Sequence, residues 1–232
     1  MVILEKNMGI TERKEREKEL RREAILNAAQ KVFFEKGLVS STVDEIAELA
    51  ELSKGTIYLY YKSKEDMYLA VILRGEAIMY EMFKKAASTG ESTIRQILNV
   101  GEAYYAFFKE QRNYFRMFSF FETPQFHKQV SEEMLQQCIV ADEKTWTLIA
   151  ELIAKGGREG VLQSHIKPKQ FGLIVWATAT GLYRQMDTNA DYWEKIMGVD
   201  LEATLRLSYS LLLESMMTER AKEEYRSLIA KP

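Results

Sequence analysis

The 232-residue chain holds one cysteine, Cys138, so it can form no internal disulfide. It has only 3 prolines and 12 glycines, and so few helix breakers predict long, uninterrupted helices. Its two histidines, His127 and His165, stand apart from each other and from any acid spacing that would build a metal site or a catalytic pair. Cys138 falls on an apolar stripe. Gly156-Gly157-Arg158-Glu159-Gly160 lacks the strand–loop–helix setting of a nucleotide fingerprint. Catalysis, a metal and a cofactor are therefore not expected. No apolar run is long enough to span a bilayer, the longest (171–182) being interrupted by Thr178 and Thr180. Residues 1–10 carry Glu5 and Lys6 where a secretory signal would be apolar. These absences point away from a membrane and towards the cytoplasm.

An excess of one charge is also missing. The net charge is −2 and the pI about 5.9, whereas nucleic-acid modules often lie above roughly 9. The first 74 residues balance at 13 bases against 13 acids. Only locally, over 52–64, do Lys54, Lys62 and Lys64 stand without an acid. Any attraction for a polyanion must arise from that patch.

What the chain does have is helical periodicity. Residues 11–23 alternate acids and bases, with Glu12/Arg16 and Glu17/Arg21 in the favourable i,i+4 order, as on a solvated helical extension. Ala24, Ile25, Ala28, Val32 and Phe33 then mark a helix over about 20–36, with Gly37 as its left-handed cap. Thr42 and Glu45 form a capping box that opens a second short helix with Ile46 and Leu49 on its apolar face. Ser53 caps a third over about 54–60. Ser63 caps a long fourth, with Glu65 and Asp66 in its first turn.

Two short helices joined by a tight turn and braced by a preceding helix make a helix-turn-helix. In the third helix only Ile57, with Tyr61 a turn later, must face inward. Lys54, Thr56, Tyr58 and Tyr60 are left on or near the outside. Such a helix is a poor core element but suits a major groove. Its hydroxyls can bond phosphates or base edges, Gly55 lets the backbone approach closely, and Lys62 and Lys64 lie where the phosphate backbone would run. The amide end of the second helix, Thr42 and Val43, offers a further phosphate site.

The segments Ala24-Ile25-Leu26-Asn27-Ala28-Ala29 through Phe33-Phe34-Glu35-Lys36-Gly37, Thr42-Val43-Asp44-Glu45-Ile46-Ala47 and Ser53-Lys54-Gly55-Thr56-Ile57-Tyr58-Leu59-Tyr60-Tyr61-Lys62-Ser63-Lys64-Glu65 resemble the TetR family of bacterial repressors. The resemblance covers roughly the first third of the chain. It implies an all-α fold with a helix-turn-helix DNA-binding domain (1–66, with its charged N-terminal extension) joined by a long helix to a helical effector-binding and dimerisation domain (67–232). It further implies a homodimer that binds a palindromic operator in double-stranded DNA and responds to a small molecule. One position departs: Glu51 stands in the turn where the family commonly has glycine. If φ is positive there, glutamate costs about 1 kcal/mol relative to glycine.

Beyond residue 88 the chain stays helical. Ile94, Ile97, Leu98, Tyr105 and Phe108 form a stripe, an aromatic segment occupies 114–121, and Pro124 marks a break. A long helix is expected from about Lys128 to Lys155, ended by Gly156 and Gly157. Others are expected from Pro168 to about Met186 and from about Asp200 to Met217, with a charged, possible helical tail. So many aromatics, Phe126 included, crowd into 104–126 that they exceed one core face. Several are expected to line a pocket for a hydrophobic or aromatic effector. The candidates are Met79, Phe83, Tyr104, Phe108, Phe118, Phe121, Trp146, Trp176 and Tyr183. The last two long helices, with the small residues Ala177-Thr178-Ala179-Thr180-Gly181, are expected to pair across a dimer axis. The competing reading is a helical small-molecule-binding protein without DNA-binding activity. The outward hydroxyl face of the third helix argues against it.

Overall fold

The computed structural model describes residues 2–121, 130–165 and 167–229, without the side chains of residues 2–8, 10 and 121. The elements in order are α1 (Val2–Ser40), α2 (Val43–Leu49), α3 (Lys54–Tyr58), α4 (Lys64–Ser88), α5 (Thr93–Glu110), α6 (Arg112–Phe121), α7 (Glu132–Arg158), α8 (Pro168–Thr188), α9 (Leu201–Met216) and α10 (Glu219–Ile229). A π-helical turn, Tyr192–Ile196, stands before α9. Among the described residues the only strand-like pairing is one isolated bridge, Leu162 with Met217. The all-α expectation holds. No helix among these residues is long and apolar enough to cross a membrane.

Several ends follow from local chemistry. Gly37, at φ 69, breaks α1 where the glycine cap was expected. Asp200 caps α9 by accepting the Ala203 amide at 2.8 Å. The expected end of α7 at Gly156 and Gly157 is wrong. The helix runs on to Arg158, and the reversal comes at Gly160, whose φ is 70. Gly156 serves packing instead, because a Cβ there would stand 3.2 Å from the Leu162 side chain. The expected break at Pro124, together with Phe126, His127 and the proposed helix start at Lys128, lies outside the described residues.

The chain forms two compact units, residues 1–77 with 111–141, and residues 78–110 with 142–232. Both α4 and α7 contribute residues to each. In the first unit Ile25, Ala29, Phe33, Ile46, Ile57, Met67 and Val71 form the core, and Phe33 meets Tyr68 edge-on at 5.1 Å. Arg74 of α4 ties back to α1 through Asn27 Oδ1 (2.7 Å), Gln30 Oε1 (3.2 Å) and the Glu23 carboxylate. From α6, the Tyr114 hydroxyl donates to the same Gln30 at 2.8 Å. In the second unit Ile94, Ile153, Leu162, Phe171, Leu213, Met217 and Tyr225 pack together, so α10 is part of a core and not a loose tail.

Candidate functional site

The N-terminal unit is organised around two caps. Thr42 Oγ1 accepts the Glu45 amide at 3.2 Å, and Glu45 Oε2 accepts the Thr42 amide at 2.9 Å, completing the capping box. Lys36 reaches the same carboxylate at 2.5 Å. That ammonium first, then the Thr42 amide and hydroxyl, hold the Glu45 carboxyl down at about 2. Ser53 Oγ accepts the Thr56 amide at 3.1 Å and starts α3.

Between the two helices the chain reverses through a left-handed residue. The Leu52 amide donates to Ala47 O at 2.9 Å and the Glu51 amide to Glu48 O at 3.1 Å. This is the paired bonding of a Schellman turn. Its left-handed position is Glu51, at φ 55, the one non-glycine with positive φ among the described residues.

With this frame set, α3 buries Ile57 and turns its other side to solvent. Tyr58 is 46% and Leu59 82% exposed. Lys54 and Gly55 are exposed, while Thr56 and Tyr60 are half-buried. The helix ends at Tyr58, two residues earlier than expected, because the Tyr60 and Tyr61 amides both turn back onto Ile57 O at 3.0 and 3.1 Å.

A shallow cleft of about 480 Å³ gathers Thr42, Val43, Lys54, Tyr58, Lys62 and Lys64. Gly55, Thr56 and Tyr60 are not on its wall. A Cβ at Gly55 would stand 3.7 Å from Ser53 Oγ, so nothing inside the protein demands glycine there. The Thr56 hydroxyl lies 2.8 Å from Ser53 Oγ, as part of the cap. Val43 is buried, so only its backbone could meet a ligand.

The lysines are less free than the sequence suggests. Lys54 pairs with Asp44 at 2.9 Å, and that hydrogen bond raises its ammonium above the usual value. Lys62 stands 3.5 Å from Glu133 of α7. Lys64 donates to Leu38 O and Ser41 O, both at 2.7 Å, and so closes the end of α1. The sequence placed it on the phosphate backbone, and the structure gives it an internal task. Leu59 was missed altogether, because leucine is ordinarily assigned to the core.

The model for "Bacterial regulatory proteins, tetR family" matches residues 25–71, the span of this cap-turn-cap frame. Over this segment the chain is similar to TetR-family regulators. It is 28% identical over 148 residues to the HTH-type transcriptional regulator YhgD of Bacillus subtilis, covering 64% of this chain and 73% of that one. It is 41% identical over 66 residues to the HTH-type transcriptional repressor BepR of Brucella suis, covering 28% and 32%. The chain thus spans only about a third of BepR. Among solved structures, a TetR/AcrR-family regulator from Thermobifida fusca aligns with TM-score 0.64 at 22% identity, over 83% of this chain and 96% of that one. The Bacillus subtilis regulator FadR, solved with stearoyl-CoA, aligns with TM-score 0.61 at 18% identity, over 82% and 96%. The likeness of fold to these solved structures therefore extends well beyond the matched N-terminal segment.

The second unit encloses a cavity of about 910 Å³ among α4, α5, α7, α8, α9 and α10. Of the nine candidates, Phe83, Tyr104 and Trp176 line it. Tyr183 and Phe108 do not. They stack on each other at 4.8 Å and 3°, fully buried behind Tyr104. Burial pushes the Tyr183 hydroxyl far above its usual value, and it stays neutral. Trp146 supports Trp176 edge-on at 5.9 Å without lining the space. Met79 is half-buried off the wall, and Phe118 belongs to the first unit. The Phe121 side chain lies outside the described residues. The walls come instead from residues that the sequence reading passed over, among them Leu98, Ile153, Phe171, Val175, Tyr209 and Leu213. Their signal was the shared stripe of α5, α8 and α9, which aromatic crowding obscured.

Proposed function

We propose that this protein is a TetR-type, ligand-responsive repressor that binds a palindromic operator in double-stranded DNA as a homodimer. Residues 1–66 read DNA, and residues 67–232 bind the effector and dimerise. The observation that carries this reading is α3, a capped five-residue helix with Ile57 buried and Lys54, Tyr58 and Leu59 presented outward. Apart from the exposed Lys54–Asp44 pair, an outward face of that composition adds little to its own unit, and it fits a major groove. Lys54, Gly55, Thr56, Tyr58 and Tyr60 meet the groove. Lys62 and the 42–43 corner meet phosphates, and Asp44 and Glu133 release their lysines as DNA arrives.

Binding to a labelled duplex from upstream of the protein's own gene, followed by fluorescence anisotropy, tests the reading. Tyr58→Ala should weaken the specific complex more than the nonspecific one. Absence of binding to any such duplex at low salt refutes it.

The dimer face is supported by Leu173 and Ile174 on α8 and by Leu207 and Leu211 on α9, which are large, apolar and exposed. Nothing stands within 4 Å of a Cβ built on Gly181, which leaves room for close helix approach. Leu207→Glu should shift sedimentation from dimer to monomer at micromolar concentration. A monomeric parent protein would refute the assignment. The cavity supports a hydrophobic or aromatic effector, as does the stearoyl-CoA held by FadR in the same fold. Its occupancy would reach α3 along α4, the helix that contributes residues to both units.

A further inference from the structure

The cavity wall divides by chemistry. Its inner part is hydrocarbon and aromatic, built from Phe83, Leu98, Ile153, Phe171, Val175 and Trp176. The hydroxyls beside it satisfy one another. Tyr104 pairs with Thr180 at 2.7 Å, Tyr209 with Tyr183 at 3.0 Å, and Ser210 with Tyr225 at 2.9 Å. A polar ligand entering there would lose its water and gain no partner in return. Sugars and nucleosides are thereby disfavoured.

The charged lining residues lie on α5 and α9. Glu102 is held by Arg95 at 3.2 Å. Glu202 accepts the Tyr105 hydroxyl at 2.5 Å and stands 3.5 Å from the Lys109 ammonium. Both carboxylates are thus already matched, which leaves little to recruit a cationic ligand. Arg206 differs. It lines the cavity, is exposed, and acts on Glu202, one turn earlier in α9, only through its charge, with no hydrogen bond or close ion pair between them. A guanidinium whose N–H donors are not taken up by a protein carboxylate, at the edge of an apolar space, is a ready partner for a carboxylate or phosphate.

We infer that the effector is an anionic amphiphile, an acyl chain in the apolar cavity with its carboxylate or phosphate-bearing head on Arg206. This rests on the reading that the cavity is the effector site. The volume of about 910 Å³ lies near the upper end of ligand pockets, roughly 300–1,000 Å³, and accommodates such a chain. The anionic head could belong to a free fatty acid or to an acyl-coenzyme A thioester.

The test is displacement of the uncharged fluorophore N-phenyl-1-naphthylamine from the full-length protein. The competitors are dodecanoate, dodecanoyl-coenzyme A, dodecan-1-ol and dodecyltrimethylammonium, each below its micelle threshold. Dodecanoate or its thioester should displace the probe at lower concentration than the alcohol or the ammonium. Whichever of the two acyl compounds is tighter identifies the source. Arg206→Glu should weaken the anionic competitor by about tenfold and leave the alcohol within about twofold. Arg206 is exposed, but glutamate there would face Glu202 one turn away. Arg206→Gln is therefore the second variant, which removes the charge without that repulsion and should lose the same preference for the anion. Equal displacement by alcohol and acid, or an anion response unchanged by Arg206→Glu, overturns the inference while the cavity reading stands. Failure of the fluorophore and every competitor to bind removes the cavity reading itself.

Discussion

Replacing Glu51 by glycine should make the protein more stable, although it deletes a side chain. The residue sits at φ 55 in the Schellman turn between α2 and α3. In that region the Cβ of an L-residue crowds the following carbonyl, at about 1–2 kcal/mol. Glycine has no Cβ and escapes this strain, but it loses more backbone freedom on folding, about 0.5–1 kcal/mol. The Glu51 side chain is exposed and adds no packing that would be missed. The balance favours Glu51→Gly by about 0.5–1 kcal/mol, equivalent to about 1–4 °C in Tm for a chain of this size. Glu51→Ala is the necessary control. It removes the charge and keeps the Cβ, so it should melt close to the parent. Thermal unfolding of the three proteins, in one buffer and at one concentration, measures the difference. If Glu51→Gly melts no higher than Glu51→Ala, the strain argument fails and the turn tolerates a side chain without cost.

Three further outcomes follow from the same unit. Lys64→Ala removes the ammonium from the Leu38 and Ser41 carbonyls and should destabilise by about 1.5–3 kcal/mol in urea. Unchanged stability, together with a fall of about 1 in the salt slope of DNA binding, would instead make it a phosphate contact. Because Glu45 is held at about 2, below its unfolded value near 4.3, its contribution should be complete above about pH 5 and fade as pH falls towards 2. The stability difference between the parent and Glu45→Gln should therefore narrow over that window, and a constant difference would contradict the assignment. Gly75→Ala places a Cβ 2.5 Å from Cδ1 of the buried Tyr114 ring and should cost about 1–3 kcal/mol by denaturant melt. A neutral result would mean that the ring has room to move.

The features legible in the sequence are those decided within a few residues. Thr42 with Glu45, Ser53 and Asp200 announce helix starts because the donor and acceptor of each cap lie three residues apart. Glu51 could be flagged only because the family commonly has glycine at that turn position. The internal bonds of Lys64 were not legible, because its partners lie 26 and 23 residues away, at the end of α1. Seen in sequence it is merely a lysine beside a cap. The cavity wall was only partly legible for the same reason. Aromatic density located Phe83, Tyr104 and Trp176, but which side of a ring meets a void depends on the pairing of α5, α8 and α9. Tyr183 and Phe108 stack into each other, while the aliphatic Leu98 and Leu213 face the space.

Leu59 carries the argument one step further. Leaving a leucine 82% exposed forgoes about 1.5–3 kcal/mol that burial could supply. Its neighbours make it no accident of a frayed end, because its own amide is bonded to Thr56 O at 3.1 Å and the next two amides close onto Ile57. The backbone is therefore held, and the side chain is presented outward by a turn that is otherwise fully satisfied. An apolar group displayed on a firm frame, beside Tyr58 and Lys54, suits a surface with both methyl groups and phosphates. The thymine methyl in a major groove is such a surface. If α3 enters a major groove as proposed, Leu59→Ala should narrow the preference for the specific duplex, whereas Lys62→Ala should weaken specific and nonspecific binding alike. Equal loss on both duplexes for Leu59→Ala would refute the reasoning.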